Sequence, residues 1–148
     1  MTDKVYEFLT APGRTAAEIR AKRRNRAEKL SGMIPGAIRY DVPRVQTSPA
    51  DRMSQTAAEV DALEREIAEL RERLRGQRRA VADAAAKLES PEAAEVLVRR
   101  YIDGLRWKDV ARAMHKSQSA VFRMHRQAAE ELDSMLPDSA ELSTADCG

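Results

Sequence analysis

Gln118, Ser119, Phe122, Arg123 and Arg126 recur at three- and four-residue intervals, which places them on one face of a helix. Their types suit the reading of DNA. A Gln amide can bond two edge atoms of adenine and an Arg fork two edge atoms of guanine, chemistry that recognises a surface and breaks no covalent bond. The first four are the expected base-reading set, while Arg126 joins Arg99, Arg100, Arg112 and Lys116 as expected phosphate contacts. From Arg99 to Arg126 eight basic residues stand against Asp103 and Asp109, a local excess of six positive charges in a chain whose whole formal charge is +2. Phosphate neutralisation depends on that local concentration and not on the total.

Side chains that read a duplex need a rigid frame, and the apolar spacing around them supplies one. In VLVRRYIDGLRWKDVARAMHKSQSAVFRMHRQAAEEL, Val96 to Leu132, the residues Val110, Ala111 and Met114 fit a short bracing helix with a small residue at the crossing. Ser117 offers a hydroxyl to cap a second helix, on which Val121 and Met124 return three residues apart to the same core. This is the pattern of a helix-turn-helix, whose second helix offers its amino-terminal end to the major groove. His115 stands where such turns often carry Gly, and Lys116 where an apolar residue is common, so a looser turn is expected. Arg106 replaces the usual capping Ser or Thr of the bracing helix. Trp107 is expected to close the core, and His125 to lie on the helix surface or meet a phosphate.

The segment from Arg100 to Leu132 resembles the domain of bacterial sigma factors that reads the minus-35 element, and more closely the small phage-encoded regulators of the ArpU and RinA type. Two stretches carry the resemblance: RYIDGLRWKDVARAMHKSQSAVFRMH, and VQTSPADRMSQTAAEVDALEREI from Val45 to Ile67, which leads into a long helix. The resemblance implies a transcription regulator, a phage late-gene activator or sigma-like factor, with double-stranded DNA and RNA polymerase as partners. It assigns base reading to Gln118, Ser119, Phe122 and Arg123. The alternative is a DNA-packaging adaptor resembling a small terminase subunit, which also joins a helix-turn-helix to an oligomerising helical segment; a ring of many subunits would distinguish it. A complete sigma factor fits less well, since the first 90 residues hold only Tyr6, Phe8 and Tyr40 as aromatics, too few for a promoter-melting segment.

Composition narrows the field further. With 148 residues, 43% hydrophobic, 34% charged and 4% aromatic, the chain has room for one modest core and exposed helices, not for a second enzyme-sized domain. Phosphate-binding glycine loops, a nucleophile elbow and H-E-x-x-H are absent from the sequence. His115 and His125 stand ten apart without Cys or paired acids in ligand spacing, so no enzyme, metal site or cofactor is expected. The sequence has no apolar run of about 18 residues, its start MTDKVYEFLTAPGR lacks the order of a signal peptide, and the single Cys147 cannot form an intrachain disulfide. A soluble cytoplasmic protein is expected.

Helix start signals divide the chain. Thr15 with Glu18 forms a capping box, while Ser48-Pro49 with Asp51 and Ser90-Pro91 each set a cap before a first-turn proline, so helices are predicted from those three points. The expected divisions are a basic helical segment over 1–31, a linker over 32–47, a long helix over 48–89, the helix-turn-helix domain over 90–137 and a flexible tail over 138–148. From Met53 a seven-residue spacing runs through Val60, Ile67, Leu74, Val81 and Leu88, with Leu63, Leu70, Gln77 and Ala84 at the second seam position. A helix of about 52 Å, at 1.5 Å per residue, needs a partner along that seam. Glu59, Glu64 and Glu66 flank its first half and Arg71, Arg73 and Arg78 its second, which favours antiparallel pairing. The partner is either the first helix, carrying Arg20, Lys22, Arg23, Arg24, Arg26 and Lys29 with Ile19 and Leu30 inward, or a second copy docked through the 53–88 helix. The expected fold is all-α, a long coiled-coil-like helical hairpin followed by a carboxyl-terminal helix-turn-helix domain.

Overall fold

The computed structural model describes residues 1–33 and 49–138. Among them the fold is all-α, with α1 (Asp3–Gly32), α2 (Pro49–Ala86), α3 (Pro91–Leu97), α4 (Trp107–Ala113) and α5 (Gln118–Met135); a π-helical turn, Val98–Ile102, continues α3. No described helix is long and apolar enough to cross a membrane. The chain forms two compact units, Thr15–Arg73 in one and Met1–Arg14 with Leu74–Gly148 in the other. This grouping cuts across the segments expected from start signals, because burial of apolar stripes decides what packs together and helix ends do not. The expected linker and tail, and the Ser48 cap, lie wholly or largely outside the described residues.

The Thr15–Arg73 unit contains an antiparallel helical pair. Lys22, Arg26 and Lys29 of α1 hold Glu66, Glu64 and Glu59 of α2 at 2.7, 3.0 and 2.6 Å, so rising numbers on one helix meet falling numbers on the other. Each pair is partly solvent-exposed and contributes at most about 1 kcal/mol; together they fix register and direction. Burial comes from Ile19 on α1 and Val60, Leu63, Ile67 and Leu70 on α2, the seam positions expected from the seven-residue spacing. Two seam expectations fail. Met53 is 53% exposed, since it lies almost two turns before Glu59, beyond the reach of an α1 that ends three residues after Lys29. Leu30 is 40% exposed because the half-buried stems of Lys22, Arg26 and Lys29 occupy the inward face there.

Helix α1 does not begin at Thr15 as the capping box suggested. It starts at Asp3, passes through Pro12 without a break, and leaves Thr15 buried within the helix at 4% exposure. A proline in a helix interior forfeits one backbone bond and costs about 3 kcal/mol. Val5, Leu9 and Pro12 are all buried at helical spacing, and that burial outweighs the loss.

The core of the second unit explains why the chain's first turns belong to it. Val5 and Leu9 of α1 pack in one buried cluster with Val81 and Ala85 of α2, Leu88, Ala93 and Leu97 around α3, and Ala128, Ala129 and Leu132 of α5. Polar contacts extend the seam: Thr2 Oγ1 donates to Asp133 at 2.8 Å, and Lys4 Nζ reaches the Leu136 carbonyl at 3.1 Å and Asp138 at 3.0 Å. Helix α2 ends at Ala86, where the amides of Lys87 and Leu88 reach back only three residues, to Ala84 and Ala85. Helix α3 then starts where expected, with Ser90 accepting from the Ala93 amide at 3.2 Å and Pro91 in the first turn.

Candidate nucleic-acid interface

Helices α4 and α5 form a helix-turn-helix over Val96, Val110, Ala111 and Val121, each no more than 5% exposed, with Met114 and Met124 packed at the edge. All but Val96 are core positions expected from sequence. Ser117 caps α5 by accepting from the Ala120 amide at 3.1 Å, whereas Arg106 at the start of α4 makes no side-chain cap and pairs with Asp109 at 3.1 Å.

The turn is not loose. His115 adopts the left-handed conformation at φ 54°, and two amides close the end of α4: Lys116 donates to the Ala111 carbonyl at 3.0 Å and His115 to Arg112 at 3.2 Å. That bond pair is the Schellman motif, which satisfies carbonyls that would otherwise be orphaned. Histidine tolerates the left-handed region better than most residues but still pays for its Cβ. His115→Gly should therefore stabilise the unit by about 0.5 to 1 kcal/mol, and His115→Val should destabilise it by more, as read in denaturant melts.

Gln118, Ser119, Phe122 and Arg123 are all exposed on the first two turns of α5, joined by Arg126 one turn further and by Arg112 on α4. The first turn of α5 carries no acidic residue, so the positive end of the helix dipole is left for an anion. The remaining expected phosphate contacts are engaged within the unit. Arg99 is held by Glu95 at 2.8 Å, Lys116 by Glu92 at 3.4 Å, and Arg100 donates to the Leu105 carbonyl at 2.9 Å with its guanidinium 5.0 Å from the Trp107 ring centroid. An open groove of about 600 Å³ continues along α5, lined by Phe122, His125, Arg126 and Glu130 with Met1 and Thr2.

Trp107 packs on the core as expected, and around it stands an aromatic cluster that sequence reading missed. Its ring lies 5.2 Å from Phe122 and 4.8 Å from His125, with Tyr101 at 6.5 Å. The expectation for His125 is thereby corrected: it is half-buried, and its Nε2 shares a hydrogen bond with the Tyr101 hydroxyl at 2.7 Å. Burial and the nearby Arg100 cation hold the ring below its ordinary pKa of 6.5, while burial pushes Tyr101 up, so both groups are neutral near pH 7. The only sequence signal was the three-residue interval from Phe122 to His125, which sets both on one face.

A pH dependence follows. The unfolded chain takes up a proton at His125 before the folded chain does, so this contribution to stability is complete above pH 6.5 and is lost as pH falls through the lower folded value. His125→Gln, which keeps a hydrogen-bonding group that does not titrate, should show a smaller loss of melting temperature over that range. Coincident wild-type and variant profiles would mean the folded ring is not held neutral.

The π turn before the cluster directs Arg100 and Tyr101 toward it. Asp103 N–H reaches the Val98 carbonyl at 3.0 Å, and Gly104, at φ +75°, reverses the chain so that Leu105 N–H meets the Arg99 carbonyl at 3.0 Å.

In comparisons with known proteins, a family model described as a protein of unknown function, DUF1492, matches residues 47–133, a span that takes in α2 through most of α5. No curated protein and no solved structure matches the chain.

Proposed function

Because the chain belongs to the DUF1492 family of proteins of unknown function, we propose from the chemistry of its own residues that it is a sequence-specific, double-stranded DNA-binding transcription regulator. One observation carries this reading: Gln118, Ser119, Phe122 and Arg123 stand exposed on the first two turns of a capped helix that is fixed to a buried core. Rigidity matters because a bidentate base contact tolerates little misplacement. Arg112 and Arg126 supply the exposed phosphate contacts, while Arg99, Arg100 and Lys116 hold the frame.

The resemblance to sigma factors and to ArpU- and RinA-type regulators supports a finer version, in which the bound protein recruits RNA polymerase in the cytoplasm to phage late genes. In this reading it acts by binding. Selection of bound duplexes from a random pool tests the proposal: a recovered motif of a few base pairs is the expected result, and a pool that shows no enrichment would reject sequence-specific reading.

A further inference from the structure

The two flanks of the helical pair in the Thr15–Arg73 unit lose their acidic residues at different points. One flank matches two opposite charges, Lys29 with Glu59 and Lys22 with Glu66, before Arg73 follows at the next seven-residue step. The other begins the same way with Arg26 and Glu64, but seven residues further along α2 the place of the acid is taken by Arg71. Arg71 shares a groove of about 260 Å³ with Arg23, Arg26, Glu64 and Ile67. Three guanidinium groups therefore meet one carboxylate, and Arg26 already holds it. Among the described residues neither Arg23 nor Arg71 has an ion pair, and both are exposed. A helical pair selected for stability alone would carry Glu at position 71, opposite the basic face of α1.

We infer that this groove is a second phosphate-binding site, in which Arg23 and Arg71 grip the sugar-phosphate backbone of DNA without reading bases. A guanidinium fork matches two phosphate oxygens, and two forks sharing one groove lose their mutual repulsion once an anion lies between them. Ile67, 5% exposed, gives the groove an apolar wall, which reduces screening of those contacts. Arg20 and Arg24, exposed within one turn of Arg23, add to the local charge. The site deepens the proposed DNA-binding function and rests on it, but its residues lie outside the α5 reading face.

The full-length chain and labelled duplexes, measured by fluorescence anisotropy across a salt series, provide the test. The double variant Arg23→Gln with Arg71→Gln should lose about tenfold affinity for a selected and a random duplex alike, and its salt slope should fall by about 2. Arg71→Glu should weaken binding to both duplexes while raising the melting temperature, because a carboxylate in the groove with Arg23 replaces a like charge. Wild-type affinity and slope in the double variant would overturn the inference, as would a more stable Arg71→Glu that binds DNA unchanged. Failure of the two readings can be told apart. If Arg123→Ala spares the selected site while the groove variants abolish binding, the α5 reading falls and the groove stands; if the wild-type chain binds no duplex, both fall.

Discussion

Leu9→Ala is expected to destabilise the unit that carries the helix-turn-helix by about 2 to 5 kcal/mol, the usual cost of emptying a fully buried leucine site. Leu9 is 1% exposed, and its neighbours in the cluster come from α2, α3 and α5, so the cavity would open where four helices meet. Ala128 and Ala129 are already small and offer little to collapse into the gap. The loss should appear in thermal melts followed through Trp107, the chain's one tryptophan. Since the first turns of α1 share this core with α5, DNA binding should weaken at temperatures where the variant is partly unfolded and recover on cooling. A Leu9→Ala melt within about 0.5 kcal/mol of wild type would show that α1 does not pack on α5 as described.

Arg123→Ala is expected to lower affinity for the selected duplex by roughly 5- to 150-fold, the 1 to 3 kcal/mol carried by a bidentate base contact, with a much smaller loss on random DNA. Gln118→Ala should behave alike at a different base pair. Arg112→Ala provides the contrast: its loss should be equal on both duplexes, with the salt slope reduced by about 1. The reason lies in geometry. Arg123 and Gln118 are exposed on the end of α5 that such motifs direct at base edges, whereas Arg112 sits in the last turn of α4. Equal losses from all three substitutions would leave a binder that neutralises phosphates and reads nothing.

Much of this architecture was legible in the residues themselves, because it depends on short-range periodicity. The spacing of Val110, Ala111, Val121 and Met124 foretold the core of the helix-turn-helix, and Ser90-Pro91 and Ser117 foretold two helix starts. The seven-residue seam and its flanking charges foretold an antiparallel partner for α2, either α1 or a second copy, and α1 takes that place with its basic residues on Glu59, Glu64 and Glu66.

Other features answer to contacts far apart in sequence. Thr15 with Glu18 is a sound local start signal, yet it lies inside a helix because burial of Val5 and Leu9 against α5 residues more than a hundred positions away extends α1 back to Asp3. His115 carries no sequence mark of a closed turn; two backbone bonds hold it in a conformation that glycine takes more readily. His125 reads as a surface histidine until Tyr101, delivered by the π turn, and Trp107 enclose it and remove the water that would favour its charge. Residue type and spacing thus determined the helices, their faces and the side chains exposed on α5, while tertiary packing decided where α1 begins, which arginines are engaged and which histidine is neutral, because burial and desolvation depend on every neighbour that packing brings in.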